Sequence, residues 1–263
     1  MIGAIGAQRR ATPNALTPPL HWRLRALPVC ASTETQLDRW LADDPRLAGD
    51  GPLRAPRAVI ARRQRFGRGQ QGRPWCSPSG GVWLSAALPW PAAAELAAAP
   101  GLAAAVGLCL RLESRGLAVR IKWPNDLLLV AADGATPLKL AGLLPRLRLR
   151  GGACRWARVG VGLNAANRVP AGAVAVATTL LGPRRADPLL WCGEVLAALE
   201  WAMAWAGEPE EVRRQAERRL LLPAGPIHLN GEDWCPIGLT ADGGLRLVHG
   251  PREQVLQRTF GAG

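Results

Sequence analysis

Lysine is almost missing from this chain. Of 33 basic residues only Lys122 and Lys139 are lysines, set against 20 acidic residues and a net charge of +13. A planar guanidinium does not reproduce a compact ammonium, so a chain that otherwise uses arginine keeps lysine where geometry demands it. The arginines are spread from Arg9 to Arg258 rather than gathered on one arm, so most of the charge reads as solvated surface. A nucleic-acid partner is the other reading of +13, but the sequence has no helix-turn-helix and no aromatic RNA-binding signature. Histidine is nearly as scarce, at His21, His228 and His249, and the six cysteines (Cys30, Cys76, Cys109, Cys154, Cys192, Cys235) form no CxxC pair. That spacing argues against a zinc site and a disulfide frame, and points to a reduced, cytoplasmic setting. The start, MIGAIGAQRR, has its charges after its short apolar run, the wrong order for a secretory signal. The alanine-rich stretch 91–110 approaches the length of a membrane span, but Glu95, Pro100 and Gly101 interrupt it, so a buried helix after Pro100 is expected and no membrane contact.

What is present fits one sizeable core or a larger domain with a small appendage: 263 residues, 48% hydrophobic and 20% charged, far from a disordered composition. Residues 1–20 show no periodicity and read as a poorly ordered tail. Ser32 and Thr33 are candidate N-caps for a helix with Leu37, Trp40 and Leu41 on one face, ending near Asp44. Short apolar runs at Ala58 and Val82 predict strands on either side of a long Gly- and Arg-rich loop. A helix is expected over 102–115, then a strand, a Pro124-Asn125-Asp126 turn and another strand. Two runs joined at Gly151-Gly152 predict a hairpin, and Asp187 with Pro188 predicts a capped helix bearing Leu189, Cys192, Leu196 and Leu199 on one face. A further helix is expected over 208–221. After Pro223 short strands alternate with Asn-Gly and Asp-Gly turns, the pattern of a small barrel or of a β-flap on the main domain.

Four clusters carry chemistry. The loop 62–75 contains Gly67, Gly69 and Gly72 in a GxGxxG spacing, but Pro74, Trp75, Pro78 and Gly80-Gly81 follow it, so no helix opens there and a dinucleotide fold is rejected. What remains is a loop whose backbone N–H groups can approach an anion while Arg68 and Arg73 pair phosphate oxygens; a solvated flexible loop is the alternative. IKWPNDLLL presents Lys122, Asn125 and Asp126 at a tight turn. LKLAGLL sets Lys139 before the small pair Ala141-Gly142, and VGVGLN ends on Asn164. Each could be an ordinary turn or strand alone, yet both lysines fall within these clusters.

Read in order, VCASTETQLDRW, QRFGRGQQGRPWCSPSGGVWLS, IKWPNDLLL, LKLAGLL and VGVGLN resemble the biotin protein ligase family over residues 28–167, and the hairpin-rich end resembles that family's small terminal domain. The resemblance implies an α+β fold of the class II aminoacyl-tRNA synthetase and biotin ligase kind. Its mixed, largely antiparallel sheet packs on helices, with residues 21–217 catalytic and 218–263 an SH3-like β-barrel. It further implies a ligase-only form without a winged helix, since few residues precede Trp22. The implied activity joins biotin, through biotinyl-5′-AMP made from ATP, to a lysine of the biotin carboxyl carrier protein of acetyl-CoA carboxylase. The implied partner is that carrier, with no specific DNA binding, while the sequence leaves open whether the protein is a monomer or a homodimer.

By the same resemblance Ser32, Thr33, Glu34, Gln64, Gly67, Arg68, Gly69, Gln70, Lys139 and Gly142 would surround biotin. Arg68, Arg73, Trp75, Asn125, Lys139 and Asn164 would hold the nucleotide, and Lys139, Arg68, Asp126 and Lys122 would serve catalysis with Mg²⁺ near Asp126. Closing of the glycine-rich loop over the adenylate implies a loop disordered without ligand. Four positions depart from the family pattern: Ala31 and Glu34 stand in place of Asp and Asn, Gln70 in place of a further Arg, and Arg146 in place of an acidic residue. A lipoate-type ligase and a non-catalytic biotin-binding protein are the competing readings.

Overall fold

Alternation along the central strands decides how the layers assemble. In the computed structural model, which describes residues 1–12, 20–48, 52–131, 134–179 and 181–257, β3 (Val82–Leu88) and β7 (Ala153–Leu163) pair antiparallel at the middle of a seven-stranded sheet. Val82, Leu84, Ala86 and Leu88 on β3 and Val159, Val161 and Leu163 on β7 enter one large apolar core with α4 (Pro100–Glu113) and α5 (Pro188–Ala204). The residues between them point to the opposite face, because side chains alternate with period two. There Ala87 and Trp156 pack with Leu37 and Leu41 of α2 (Thr33–Ala42).

The sheet order is β1-β2-β3-β7-β6-β5-β4, with β1 (Arg23–Leu27), β2 (Arg57–Ala61), β4 (Val119–Lys122), β5 (Asp126–Leu129) and β6 (Leu138–Arg150). β1 and β2 run parallel, and the other neighbours are antiparallel. The expected hairpins are present: Gly151 and Gly152, with φ of 56° and 80°, turn β6 into β7, a left-handed pair that glycine adopts without a Cβ penalty. A short α3 (Pro45–Ala48) follows α2, and α6 (Pro209–Glu217) follows α5. Asp187 caps α5 by accepting the Leu189 N–H at 2.9 Å.

Two expectations about the helices are corrected. α5 is not apolar on one face alone; it is buried from Trp191 to Ala202 because α4, β3 and the amino-terminal segment all pack on it. That segment, expected as a poorly ordered tail over 1–20, forms α1 (Ile2–Ala11), while 13–19 lie outside the described residues. Helix and core meet through a long-range ion pair: Arg9, 2% exposed, reaches the buried carboxylate of Glu200, which also accepts the Trp22 indole N–H at 2.8 Å. Removing one partner would leave a buried charge unpaired, which is why the pair fixes the segment. α4 is long and apolar, and eleven of its fourteen residues are buried in the core.

A second, four-stranded antiparallel sheet ends the described chain, ordered β11-β10-β9-β8, with β8 (Ile227–Leu229), β9 (Glu232–Leu239), β10 (Leu245–His249) and β11 (Arg252–Leu256). It is the counterpart of the expected SH3-like unit. Its first strand falls after Pro223 as expected, while the chain just after α6 pairs with the main sheet: Ile121 N donates to Arg219 O and Leu221 N to Ile121 O, both at 2.8 Å.

Candidate active site

Glycine makes the floor. On the sheet face opposite α4 and α5, Gly142 of β6 pairs with Gly162 of β7, and Gly160 lies one step along. A Cβ at Gly142 would sit 2.9 Å from the Trp75 ring and one at Gly162 2.6 Å from Trp75 Nε1, so the indole rests directly on the two backbones. Above this floor opens a cleft of about 550 Å³, whose walls come from the α2 start, the glycine-rich loop, the turn between β4 and β5, and β6.

At one end the side chains are locked by hydrogen bonds. Gln64 Oε1 accepts from Thr33 N at 2.7 Å and Thr33 Oγ1 at 3.0 Å, Gln64 Nε2 donates to Ser77 Oγ at 2.8 Å, and Thr33 Oγ1 lies 2.8 Å from Ser85 Oγ. Ser32 stands at the N-cap of α2, but its hydroxyl makes no cap bond and is buried without a partner among the described residues. Glu34 is held by Arg158 of β7 at 2.7 Å, and its other oxygen is buried over Gly160 with no hydrogen bond among the described residues. A buried polar atom left unmatched costs about 1–3 kcal/mol, so Ser32 and Glu34 mark where a ligand's polar atoms would be stabilised.

At the other end lies the charge. Lys139 Nζ is 2.7 Å from Asp126 Oδ1 and 4.8 Å from the centre of the Trp75 ring. The lysine and carboxylate are close as charges but off the angle of a hydrogen bond, since Asp126 Oδ1 has no hydrogen-bond partner among the described residues. A bulge aims the lysine. Along a regular strand Lys139 would share the helix-covered side with Ala141 and Leu143; the pairing jumps from Ala141 to Lys139 opposite Leu127 and Leu128, leaving Leu140 as the extra residue and turning Lys139 into the cleft. The next turn is pinned by Asn125, whose Nδ2 donates to Leu143 O and whose carbonyl accepts from Leu143 N, each at 2.8 Å.

The glycine-rich loop is folded rather than open. Trp75 N donates to Gly67 O and Gly69 N to Arg73 O, both at 2.8 Å, with Gln71 at φ 55° in the tight turn between them. Gly67 is the one expected site residue not on the main cleft: it lies behind the loop, where a Cβ would stand 2.4 Å from Trp75 O. Arg68 and Arg73 are exposed at the rim, and Arg73 donates to Gln71 at 2.9 Å. Lys122 is exposed at the cleft edge, while Asn164 is buried with Oδ1 accepting from Asn167 at 3.0 Å. Gln70 Nε2 is buried without a partner among the described residues.

Sequence reasoning passed over Ser77, Ser85, Arg158, Gly160 and Gly162. The VGVG alternation was a signal for the last two, since it puts both glycines on one strand face. Nothing local points to Ser85 or Arg158. Among the described residues no three His, Cys, Asp or Glu side chains gather to hold a metal. Asp126 alone suits a divalent cation that arrives on a phosphate, because Mg²⁺ is commonly held by one or two carboxylates plus substrate phosphates.

The sheet thus joins a glycine floor, a hydrogen-bonded end and a cation-lined mouth in one cleft. Residues 48–164 match the model of the biotin/lipoate A/B protein ligase family. The bifunctional ligase/repressor BirA of Salmonella typhimurium is 38% identical over 122 residues, 45% of this chain and 36% of that protein. The biotin--[acetyl-CoA-carboxylase] ligase of Paracoccus denitrificans is 37% identical over 122 residues, 44% of this chain and 47% of that protein. The match thus spans less than half the length of these relatives. The fold is shared with the Aquifex aeolicus biotin protein ligase solved with biotin and ATP, at a TM-score of 0.62 and 20% identity over 89% of this chain and 95% of that one. It is shared too with the Helicobacter pylori biotin acetyl coenzyme A carboxylase synthetase solved with biotinylated ATP, at 0.54 and 22% over 89% and 100%.

Proposed function

We propose that this protein activates biotin with ATP and transfers it to a lysine of the biotin carboxyl carrier protein of acetyl-CoA carboxylase, in the cytoplasm. The observation that carries the reading is the placement of Lys139 between the Asp126 carboxylate and the Trp75 ring, at the end of the cleft away from the Thr33–Gln64–Ser77–Ser85 network. A molecule with a polar ring at one end and a carboxylate at the other fits that polarity.

In the first step a biotin carboxylate oxygen attacks the α-phosphorus of ATP; the bond to the β-phosphate bridging oxygen breaks and pyrophosphate leaves. Two anions must approach, so Lys139 is placed to offset their repulsion, with Arg68 and Lys122 at the rim. Mg²⁺, bound with the nucleotide beside Asp126, would supply further positive charge. In the second step the carrier's lysine amine attacks the acyl carbon, loses a proton, forms the amide and releases AMP. The carrier's ammonium, of ordinary pKa about 10.4, has to give up one proton before attack, for which Asp126 would be the acceptor, and the proton shed on amide formation goes to water. The folded loop over Trp75 excludes water from the mixed anhydride.

The test is direct. Purified protein incubated with biotin, ATP, Mg²⁺ and the carrier protein should leave one biotinyl group on a single carrier lysine, located by mass spectrometry. Modification with lipoate and not with biotin, or none at all, contradicts the assignment.

A further inference from the structure

The turn that delivers Lys122, Asn125 and Asp126 is gripped from two sides. Inside, Asn125 binds both backbone groups of Leu143 on β6. Outside, the indole of Trp123 donates from Nε1 to the carbonyl of Gly243 at 2.9 Å, and Gly243 belongs to the β9–β10 turn of the second sheet.

That second turn is built to be stiff. Thr240 N donates to Gly244 O at 2.9 Å, Gly243 N to Thr240 O at 3.0 Å, and Gly244 N to Thr240 Oγ1 at 2.8 Å, while Asp242 accepts from Gln257 at 2.8 Å and from Thr240. Gly243 has φ 87°, and a Cβ there would stand 2.9 Å from the Cβ of Ala99, the residue preceding α4. The Gly243 carbonyl therefore has little freedom. The same sheet is braced on α6, where Glu217 accepts the Leu239 N–H at 2.9 Å. In the other direction the chain is short: Trp123 follows Lys122 directly and stands three residues before Asp126.

We infer that Trp123 is a positioning residue by which the second sheet sets the polar turn of the adenylating site. The inference rests on the adenylating reading for its kinetic consequence and on the geometry alone for its structural one. The residues it governs lie at the charged end of the cleft, while the Thr33–Gln64 network is anchored independently by Ser77 and Ser85. Loss of the tether should thus weaken nucleotide handling and spare the other end.

Trp123→Phe keeps a ring in the same space and removes the N–H. In biotin-dependent exchange of pyrophosphate into ATP, the variant should raise the KM for ATP or lower kcat by about tenfold, the scale of one lost hydrogen bond, with the biotin Kd within about twofold. Gly243→Ala, which moves the carbonyl by crowding Ala99, should reproduce that split from the opposite side of the contact. Hydrogen exchange supplies a readout independent of turnover: amides of 122–127 should exchange faster in Trp123→Phe while β8–β11 keep their protection. Equal losses for ATP and biotin, tracking a fall in melting temperature, would mean that Trp123 only packs. Unchanged exchange at 122–127 would overturn the tether itself. If the unsubstituted protein shows no biotin-dependent exchange, the adenylating reading fails and the amide measurement still decides the tether.

Discussion

Lys139 and Asp126 stand 2.7 Å apart across the bulged pairing of β6 with β5, close enough to pair yet off the line of a hydrogen bond. The ammonium already has a carboxylate beside it, so an anion entering this end of the cleft would share it with Asp126. Lys139→Ala should lower pyrophosphate exchange by about 10²–10³-fold, the usual loss when one preorganised charge donor is removed. Lys139→Arg should not restore it, because a planar guanidinium cannot take the ammonium's place between Asp126 and the Trp75 ring. Initial rates at saturating ATP and biotin check both.

The glycine floor makes a second expectation. Gly162→Ala would drive a methyl to 2.6 Å from Trp75 Nε1, so the indole must lift. Overpacking of this kind costs about 1–3 kcal/mol, and the KM for ATP should rise with the displaced ring while biotin affinity changes less. Calorimetric titration of each ligand separates the two.

Gln64→Ala removes the acceptor of the Thr33 N–H and hydroxyl and the donor to Ser77. The unmatched groups cost about 1–3 kcal/mol, and the biotin Kd should rise by about tenfold or more with the ATP KM little altered. Equal weakening of both ligands would show that the network does not face biotin.

Gln70 lies in the folded loop with its amide nitrogen buried and unmatched among the described residues, where the resemblance read from the sequence leads one to expect a further arginine. Gln70→Arg adds a positive charge beside the adenylate and should slow release of biotinyl-AMP. Trapping the released intermediate with hydroxylamine measures it, and equal or faster release would remove the idea.

The buried thiols make an alkaline signature. Burial pushes Cys109 and Cys192 up to about 12 from 9.0, so both stay protonated and unreactive in the folded protein. Near neutral pH a thiol reagent should label exposed Cys76 and Cys235 and leave those two until denaturant is added. Because the folded values lie above the unfolded ones, their contribution to stability is complete below pH 9.0 and is lost as pH climbs through about 12, which denaturant titrations along that range would show.

Much of this was legible in the chain, for local reasons. Gly151-Gly152 and the Pro-Asn-Asp turn specify hairpins by backbone chemistry, Asp187-Pro188 starts a helix, and the two lysines stood out against arginine. What was missed depends on distant partners. α1 has no side-chain N-cap bond among the described residues, and its anchor is Glu200, 191 residues away from Arg9. The extra residue at Leu140 is invisible to an alternation rule, though it is what turns Lys139 into the cleft. Arg158 reaches Glu34 across 124 residues, and Trp123 reaches Gly243 across 120.

The most direct test of the account is exchange of labelled pyrophosphate into ATP by purified protein with biotin, with lipoate and with neither. The account predicts exchange with biotin alone, lowered about 10²–10³-fold by Lys139→Ala. Tight biotin binding without exchange would contradict it, and would make this cleft a binding site that does not activate what it holds.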